Sequence, residues 1–324
     1  MQVSVQCLGC MMFGGRTAEP ESMDIIDRAI DRGINFLDTA NVYSHGKSEE
    51  AVGKALQRNG KRGRIVLATK VHGRMDDSDP NAYDNGRRNI IQACEASLRR
   101  LQTETIDLYQ IHRPSPKIPI DETLRALDDL VRSGKVRFIG TSTYAAWQVM
   151  ESLWVSKELG LNRFVSEQPP YNLLDRRIER ELVPMALTYG IGLIPWSPLA
   201  NGFLTGKYHR NQARPQGARL SESNSWTDSN FNDRAFDVLE LVEKIAQEKN
   251  CTISQFALAW CAQQPGITSP IIGPRTMEQL EDNLGALDVK VTDDDRTRID
   301  ALIPPGREVA PYYEADFGPH PYRW

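Results

Sequence analysis

Short apolar runs rich in β-branched residues alternate with segments of helical periodicity along the whole chain. Short runs of this kind, bounded by turn residues, are typical of buried strands. We predict strands at residues 3–11, 35–40, 65–71, 106–113, 136–142, 164–168, 192–197 and 269–273. They should be parallel, because the segment after each one is long enough to cross back over the sheet as a helix.

The intervening segments repeat apolar residues at a spacing close to 3.6, which predicts amphipathic helices. Two of them are followed by Gly134 and Gly160, where a helix commonly ends. The predicted helices cover residues 21–32, 48–57, 89–101, 121–133, 145–159, 177–189, 234–248 and 276–287.

Eight strand–helix units in 324 residues predict a (β/α)₈ TIM barrel that forms a single domain over residues 1–324. In such a barrel the carboxyl ends of the strands and the loops after them form the reactive face. The doubly wound alternative requires a glycine-rich G-x-G-x-x-G turn, and no strand is followed by one. The segment from Gly202 to Lys207 differs from a P-loop in its spacing, and Tyr208 stands where Ser or Thr would bind magnesium.

Two connections exceed the ordinary length of a loop, at residues 72–88 and 198–233, and we predict that both shape the reactive face. The carboxyl-terminal tail, residues 306–324, carries five aromatic side chains. We expect it to pack on the barrel, because exposed apolar groups need cover; the alternative is a partner surface.

The charge balance excludes several classes of partner. Lysine and arginine number 39 against 43 acidic residues, a net charge of -4, so no positive field favours nucleic acid or an acidic membrane surface. No apolar run approaches the length of a membrane span, and the start lacks a secretory pattern, so we expect a cytoplasmic protein. Five cysteines favour reduced thiols, and Cys7 and Cys10 would point to opposite faces of a strand, unlike a redox pair.

Candidate chemistry lies at three strand ends. Asp38, Lys70 and His112 each follow an apolar strand core, and Tyr43 lies in the loop after the second strand. A phenol has a pKa of about 10 in water, so it donates a proton poorly near neutral pH unless a nearby cation favours its ionised form. We predict that Lys70, held by Asp38, makes Tyr43 a better acid, while His112 orients a carbonyl oxygen or relays the proton. The alternative is an ion pair that only stabilises the barrel interior.

Seven stretches carry a family resemblance, in order along nearly the whole chain: GINFLDTANVYSHGKSEE, LATKV, IDLYQIHRP, GKVRFIGTS, SEQPPYNLLDR, PWSPLANGFLTGKY and IIGPRTMEQLEDNL. The chain resembles the aldo-keto reductase superfamily. The resemblance implies a (β/α)₈ barrel that reduces aldehydes and ketones with a nicotinamide cofactor and needs no metal. It also implies Tyr43 as general acid, Asp38 and Lys70 as the pair that tunes it, and His112 as the residue that orients the substrate.

The resemblance also places a cofactor. It implies contacts to the nicotinamide amide from Ser142 and Gln168, and ring stacking by Trp196. Along the pyrophosphate and at the adenosine end it implies Ser197, Leu199, Gly202, Lys207, Gly273, Arg275, Gln279, Asp282 and Asn283. The predicted helix that starts at residue 276 would favour a phosphate at its amino terminus, and Arg275 suits a 2′-phosphate, so we expect NADPH rather than NADH.

Two positions depart from the family pattern. Thr143 stands where asparagine is common, and only the second half of an amino-terminal hairpin, residues 2–8, is expected to cover the barrel floor. For the substrate, we expect a small carbonyl compound, including sugar aldehydes and keto sugars. Met11, Met12, His72, Arg74 and Arg113 are candidates to line its pocket.

Two other functions compete with a reductase. One is a cofactor-binding auxiliary subunit of the same fold with little turnover, since fold alone does not guarantee activity. The other is a barrel hydrolase or isomerase, which would need paired carboxylates or a metal cluster at the strand ends. The presence of Asp38, Tyr43, Lys70 and His112 together favours the reductase. We expect it to act as a monomer or small homo-oligomer.

Overall fold

A computed structural model describes residues 1–221, 228 and 231–310 of the chain. Its centre is a sheet of eight parallel strands in the order β7-β6-β5-β4-β3-β2-β1-β8. The strands are β1 Cys7–Gly9, β2 Phe36–Asp38, β3 Val66–Val71, β4 Ile106–Ile111, β5 Val136–Ser142, β6 Phe164–Gln168, β7 Gly192–Leu193 and β8 Ile271–Ile272. Backbone hydrogen bonds from Thr268 to Leu193 and from Ile271 to Pro195, both 2.8 Å, join the two edges. The predicted (β/α)₈ barrel is therefore confirmed.

Helices connect the strands on the outside of the barrel. They are α1 Glu19–Asp31, α2 Lys47–Asn59, α3 Arg87–Leu101, α4 Ile120–Arg132, α5 Ala146–Leu159, α6 Leu182–Tyr189, α7 Asp233–Glu248, α8 Ile253–Ala262, α9 Met277–Leu284 and α10 Asp293–Leu302. None of the helices in the described part of the chain is long and apolar enough to cross a membrane.

One helix prediction was wrong in part, and two helices were missed. The helix predicted at 177–189 is a 3₁₀ turn, Arg177–Glu179, followed by α6, which places Pro184 in a first turn where its missing N–H costs nothing. Helices α8 and α10 were not predicted at all. Nearly every residue of α8 is buried, so its sequence has no polar face to reveal the helical period.

The outer strands are shorter than predicted, chiefly at β1, β7 and β8. Pro195 and Pro270 flank the last two, and proline cannot donate a hydrogen bond to a neighbouring strand. The expectation of half a hairpin at residues 2–8 was wrong, because Cys7–Gly9 is the first barrel strand. The segment before it is irregular and is tied to the barrel floor by a 2.6 Å bond from the Ser4 amide to Asn35 Oδ1.

Two apolar clusters fill the molecule. The larger lies between the strands and the helices, and the smaller fills the lower half of the barrel with Cys7, Phe36, Ala68, Leu108 and Ile194. Because side chains alternate along a strand, the polar residues two positions after Phe36, Ala68 and Leu108 form the next layer inside the barrel. The interior of the barrel is therefore apolar in its lower half and polar toward the carboxyl ends of the strands.

The cysteines and long connections complete the comparison with the sequence. All five cysteines are free, and Cys7 and Cys10 belong to different apolar clusters, as the strand alternation predicted. The connection at residues 72–86 contains no helix or strand, whereas the later one begins with a 3₁₀ helix, Ala200–Thr205. Residues 222–227 and 229–230 of that connection, and residues 311–324 of the predicted tail, lie outside the described part.

Candidate active site

A cleft of about 540 Å³ opens at the carboxyl ends of the strands. Every residue predicted for proton transfer or cofactor binding lines it except Lys70, which lies directly behind Asp38 and Tyr43. The predicted residues that line the cleft are Asp38, Tyr43, His112, Ser142, Gln168, Trp196, Ser197, Leu199, Gly202, Lys207, Gly273, Arg275, Gln279, Asp282 and Asn283. The residues predicted from the strand ends and those implied by the family resemblance therefore lie along one continuous cleft.

Lys70 is fully buried, and all three of its ammonium protons have acceptors. Its Nζ donates to Asp38 Oδ2, to the Thr39 carbonyl oxygen at 2.9 Å and to Tyr43 Oη at 3.3 Å. Burial by itself would lower the pKa of Lys70, but the Asp38 carboxylate and the Tyr43 oxygen outweigh it, so the pKa is raised. Lys70 is therefore a permanent cation beside the Tyr43 oxygen.

Tyr43 begins a short irregular turn, Tyr43–Gly46, in the loop that follows β2. Its Oη lies 3.5 Å from His112 Nε2, and the two rings meet edge to face. Because Lys70 donates to the Tyr43 oxygen, the hydroxyl proton must point elsewhere, toward His112 or into the cleft.

His112 follows β4 and is uncharged near neutral pH. Loss of solvation, followed by the positive charges of Lys70 and Arg113, lowers the pKa of His112 well below its usual value. A neutral imidazole can donate or accept a hydrogen bond, but it lacks the second, acidic proton that an imidazolium could transfer to a substrate.

Gln110 is a structural partner that the sequence analysis missed. Asp38 Oδ1 accepts from Gln110 Nε2 at 3.1 Å and from Gln168 Nε2 at 2.9 Å, so both oxygens of this carboxylate are bound. Gln110 precedes His112 by two positions, so it lies on the same face of β4, in the layer of Asp38 and Lys70. The alternation of side chains along β4 is the sequence signal that indicates this position.

The first part of the cleft wall is held by Arg113. Its Nη1 donates to the His112 carbonyl oxygen at 2.7 Å and to Thr143 Oγ1 at 2.9 Å, and the guanidinium lies over the Trp196 ring. The hydroxyl of Thr143, which departs from the family pattern, thus binds Arg113. Ser142 Oγ donates to the Gln168 carbonyl oxygen at 3.0 Å, which joins β5 to β6 at the cleft.

The expected lining by His72 and Arg74 was wrong, although Met11, Met12 and Arg113 do line the cleft. His72 Nδ1 pairs with Asn85 Oδ1 at 2.9 Å, away from the cleft. Arg74 is exposed and donates to the Asp79 carbonyl oxygen at 3.2 Å. Both side chains are held by their own loop, which a strand-end argument does not capture.

The other end of the cleft collects positive charge. Arg16, Lys207, Arg219 and Arg275 all line it, and within residues 1–221, 228 and 231–310 none of the four forms an ion pair with an acidic side chain. Burial and the neighbouring Arg275 lower the pKa of Lys207. Arg16 and Arg219 were not predicted, because each lies in an irregular loop without a motif.

The start of α9 lies beside these cations. Thr276 caps the helix by accepting from the Gln279 amide at 3.3 Å, and Gln279 Oε1 accepts from the Arg275 amide at 2.8 Å. Asp282 Oδ1 accepts from Thr252 Oγ1 at 2.9 Å. A capped helix start next to several cations that have no acidic partner among the described residues favours a phosphate.

Comparison with known proteins agrees with this geometry. The profile of the aldo/keto reductase family matches residues 7–304. The chain belongs to the aldo/keto reductase family. As members of this family generally use nicotinamide cofactors, the cleft of this aldo/keto reductase is the place to look for one.

Similar proteins carry two kinds of name. The chain is 38% identical to the uncharacterized oxidoreductase YrpG of Bacillus subtilis, over 97% of this chain and 96% of that protein. It is 36% identical to the versiconal hemiacetal acetate reductase of Aspergillus parasiticus, over 90% and 91% of the two chains. It is also 36% identical to a probable voltage-gated potassium channel subunit beta of Arabidopsis thaliana, over 89% of each. Family membership makes this chain an oxidoreductase of the aldo/keto reductase type.

Proposed function

We propose that this protein reduces an aldehyde or ketone to the alcohol with NADPH, and that Tyr43 protonates the carbonyl oxygen. The observation that carries the proposal is the position of Tyr43 Oη, 3.3 Å from Lys70 Nζ and 3.5 Å from His112 Nε2, in the wall of a cleft. A phenol between a fixed cation and a neutral imidazole is arranged to lose its proton to a bound acceptor.

The residues of the cleft fit a phosphorylated dinucleotide. Four cations without acidic partners in the described chain suit a ligand with several phosphate charges, and Gly202, at φ 89°, leaves room beside Lys207. Trp196 suits the nicotinamide ring, and Ser142 and Gln168 suit its amide. Gln168 Nε2 already donates to Asp38, so the side-chain oxygen of Gln168, Oε1, is the atom that would accept from a carboxamide.

When bound, NADPH supplies the hydride that adds to the carbonyl carbon. The chain's own residues then act on oxygen. His112 and Tyr43 hold the carbonyl oxygen by hydrogen bonds, and Tyr43 gives up its proton as negative charge develops there. Lys70, already donating to the Tyr43 oxygen, stabilises the charge that remains on the phenol.

Specificity for NADPH over NADH is proposed for Arg275. Its planar, permanently charged guanidinium can bind a 2′-phosphate through two hydrogen bonds, and α9 starts immediately after it. Ser197, Leu199 and Lys207 would follow the pyrophosphate, and Gly273, Gln279, Asp282 and Asn283 the adenosine. These assignments rest on the shared cleft and on the family resemblance.

We propose that the whole chain, residues 1–324, is one domain that acts in the cytoplasm as a monomer or small homo-oligomer. Its partner is a small carbonyl compound, with sugar aldehydes and keto sugars among the candidates. Nucleic acid and membranes are not expected as partners.

The test is the oxidation of NADPH in the presence of a panel of simple, aromatic and sugar carbonyl compounds. Tyr43→Phe should lower turnover by at least about a thousandfold while leaving the Kd for NADPH nearly unchanged, because it removes the hydroxyl that carries the transferable proton and no group assigned to the cofactor. Tyr189→Phe, at an exposed tyrosine on α6, is the matched control and should behave like the unaltered enzyme. Turnover retained by Tyr43→Phe would disprove the assignment of Tyr43.

A second candidate is a cofactor-binding auxiliary subunit, which the 36% identity to a potassium channel subunit beta favours. The same assay separates the two functions. An auxiliary subunit would bind NADPH tightly yet oxidise it with the whole carbonyl panel no faster than the Tyr43→Phe variant does.

A further inference from the structure

Hydrogen bonds join the strands that carry Asp38 and Lys70 to the first turn of α2. Asp38 and Lys70 point into the barrel, so the next and preceding residues, Thr39 and Thr69, point outward. Thr39 Oγ1 shares a 2.8 Å hydrogen bond with Ser48 Oγ, and Thr69 Oγ1 donates to Glu49 Oε1 at 2.6 Å. Each strand neighbour of the Asp38–Lys70 pair is therefore bound to α2.

Glu49 continues this connection to α3. Its side chain is fully buried, and its Oε2 accepts from Arg100 Nε at 2.7 Å. Arg100, in the last turn of α3, also donates to Ser97 Oγ at 3.3 Å. Both oxygens of a carboxylate that has lost its water are thus occupied, one by β3 and one by α3.

Arg100 in turn supports the backbone that carries Tyr43. Ser44, His45 and Gly46 adopt consecutive left-handed conformations, at φ 48°, 54° and 90°. Left-handed conformations in Ser and His are strained and persist only where the surroundings hold them. A Cβ on Gly46 would lie 2.8 Å from Arg100 Cδ, so the arginine stem packs directly against this turn.

We infer that Glu49 and Arg100 are positioning residues for the proton transfer. Glu49 joins the strand of Lys70 to Arg100, and Arg100 supports the turn of Tyr43, so together they set the distance between the Lys70 ammonium and the Tyr43 oxygen. A buried ion pair contributes little net stability by itself, which leaves geometry as its main effect here. The inference rests on the proposed role of Tyr43 as the acid.

The test is Glu49→Gln, which keeps the volume of the side chain but removes its charge and replaces one of the two oxygens that accept from Thr69 and Arg100 with an NH₂ donor. We expect kcat to fall by about tenfold to a hundredfold, because small displacements of reacting groups have effects of this size. The Kd for NADPH should change less than about twofold, since no cleft cation is altered. The alkaline limb of the pH profile of kcat should also move, because Lys70 would no longer stabilise the Tyr43 oxygen to the same degree.

The matched control is Asp107→Asn, at the opposite end of the barrel. Asp107 is a buried acid on β4 that pairs with Arg62 at 2.8 Å and Arg137 at 3.0 Å. Its substitution should lower Tm by a similar amount and leave kcat and its pH profile unchanged. If both variants lower Tm and neither changes kcat, Glu49 is only structural and the inference is wrong.

Two further variants keep the test decisive if Glu49→Gln folds poorly. Thr69→Val removes one hydroxyl from the connection, and kcat should fall several-fold with an unchanged Kd for NADPH. Arg100→Lys retains the charge and should keep more activity than Arg100→Met. Unchanged kcat in Thr69→Val and equal losses in the two Arg100 variants would overturn the inference. An inactive Tyr43→Phe beside a fully active Glu49→Gln would reject only the positioning role, whereas an active Tyr43→Phe would reject the proposed function itself.

Discussion

The two ends of the cleft use positive charge in opposite ways. At one end Lys70 is buried and donates hydrogen bonds to Asp38, to the Thr39 carbonyl oxygen and to Tyr43. At the other, Arg16, Lys207, Arg219 and Arg275 line the cleft, and in the described chain they pair with no acid. A cation satisfied by protein groups can only tune its neighbours, whereas cations without acidic partners are suited to an external anion.

The largest effect is expected when the lysine at each end of the cleft, Lys70 or Lys207, is replaced by methionine. Lys70→Met should lower kcat by about a thousandfold, because the Tyr43 oxygen loses the charge that stabilises it, and should leave NADPH binding nearly intact. Lys207→Met should instead weaken NADPH binding with little change in kcat. Steady-state kinetics and fluorescence titration of the two variants measure both quantities. If Lys207→Met lowers kcat as much as Lys70→Met, the two ends do not have separate roles.

A smaller effect is expected at Arg275. Arg275→Ala should weaken NADPH binding by about tenfold to thirtyfold, because a charge-assisted hydrogen bond to a phosphate is lost, while NADH binding changes little. The control is Arg234→Ala, at an exposed arginine on α7, which should alter neither. Equal losses for both cofactors after Arg275→Ala would show that the side chain does not distinguish them.

The smallest effect concerns how the free energy of unfolding depends on pH through His112. The pKa of His112 is lowered in the folded protein by burial and by Lys70 and Arg113, so the unfolded chain binds more protons below its ordinary pKa of about 6.5. The free energy of unfolding should therefore fall as the pH drops through and below about 6.5, by no more than about 1.4 kcal/mol per pH unit for this group. His72, whose pKa is also lowered by burial, adds in the same direction.

Chemical denaturation of His112→Gln between about pH 7 and about pH 5 measures this contribution. The variant should lose less stability over that range than the unaltered protein does, because its residue 112 cannot be protonated. An identical slope for His112→Gln would mean that protonation of this imidazole does not limit acid stability.

The barrel and most of its site were predictable because the relevant patterns are local. Alternation along a strand places Asp38, Lys70 and His112 at the carboxyl ends, and eight repeated units require their strands to share one sheet. The resemblance to known reductases then extended the predicted site along the cleft. Errors at the strand limits arose where proline and irregular loops interrupt the pattern, as at Pro195 and Pro270.

The order of strands and helices, and the residue types at each strand end, can be derived from the amino-acid sequence alone. Which of those groups meet is visible only in the folded protein: Gln110 binds Asp38, Arg16 and Arg219 line the cleft, and His72 lies away from it. The contact of Glu49 with Thr69 and Arg100 likewise joins three separate elements. The physical reason is that periodicity sets the face on which a side chain lies, whereas its partners depend on loops and packing between elements far apart in the chain.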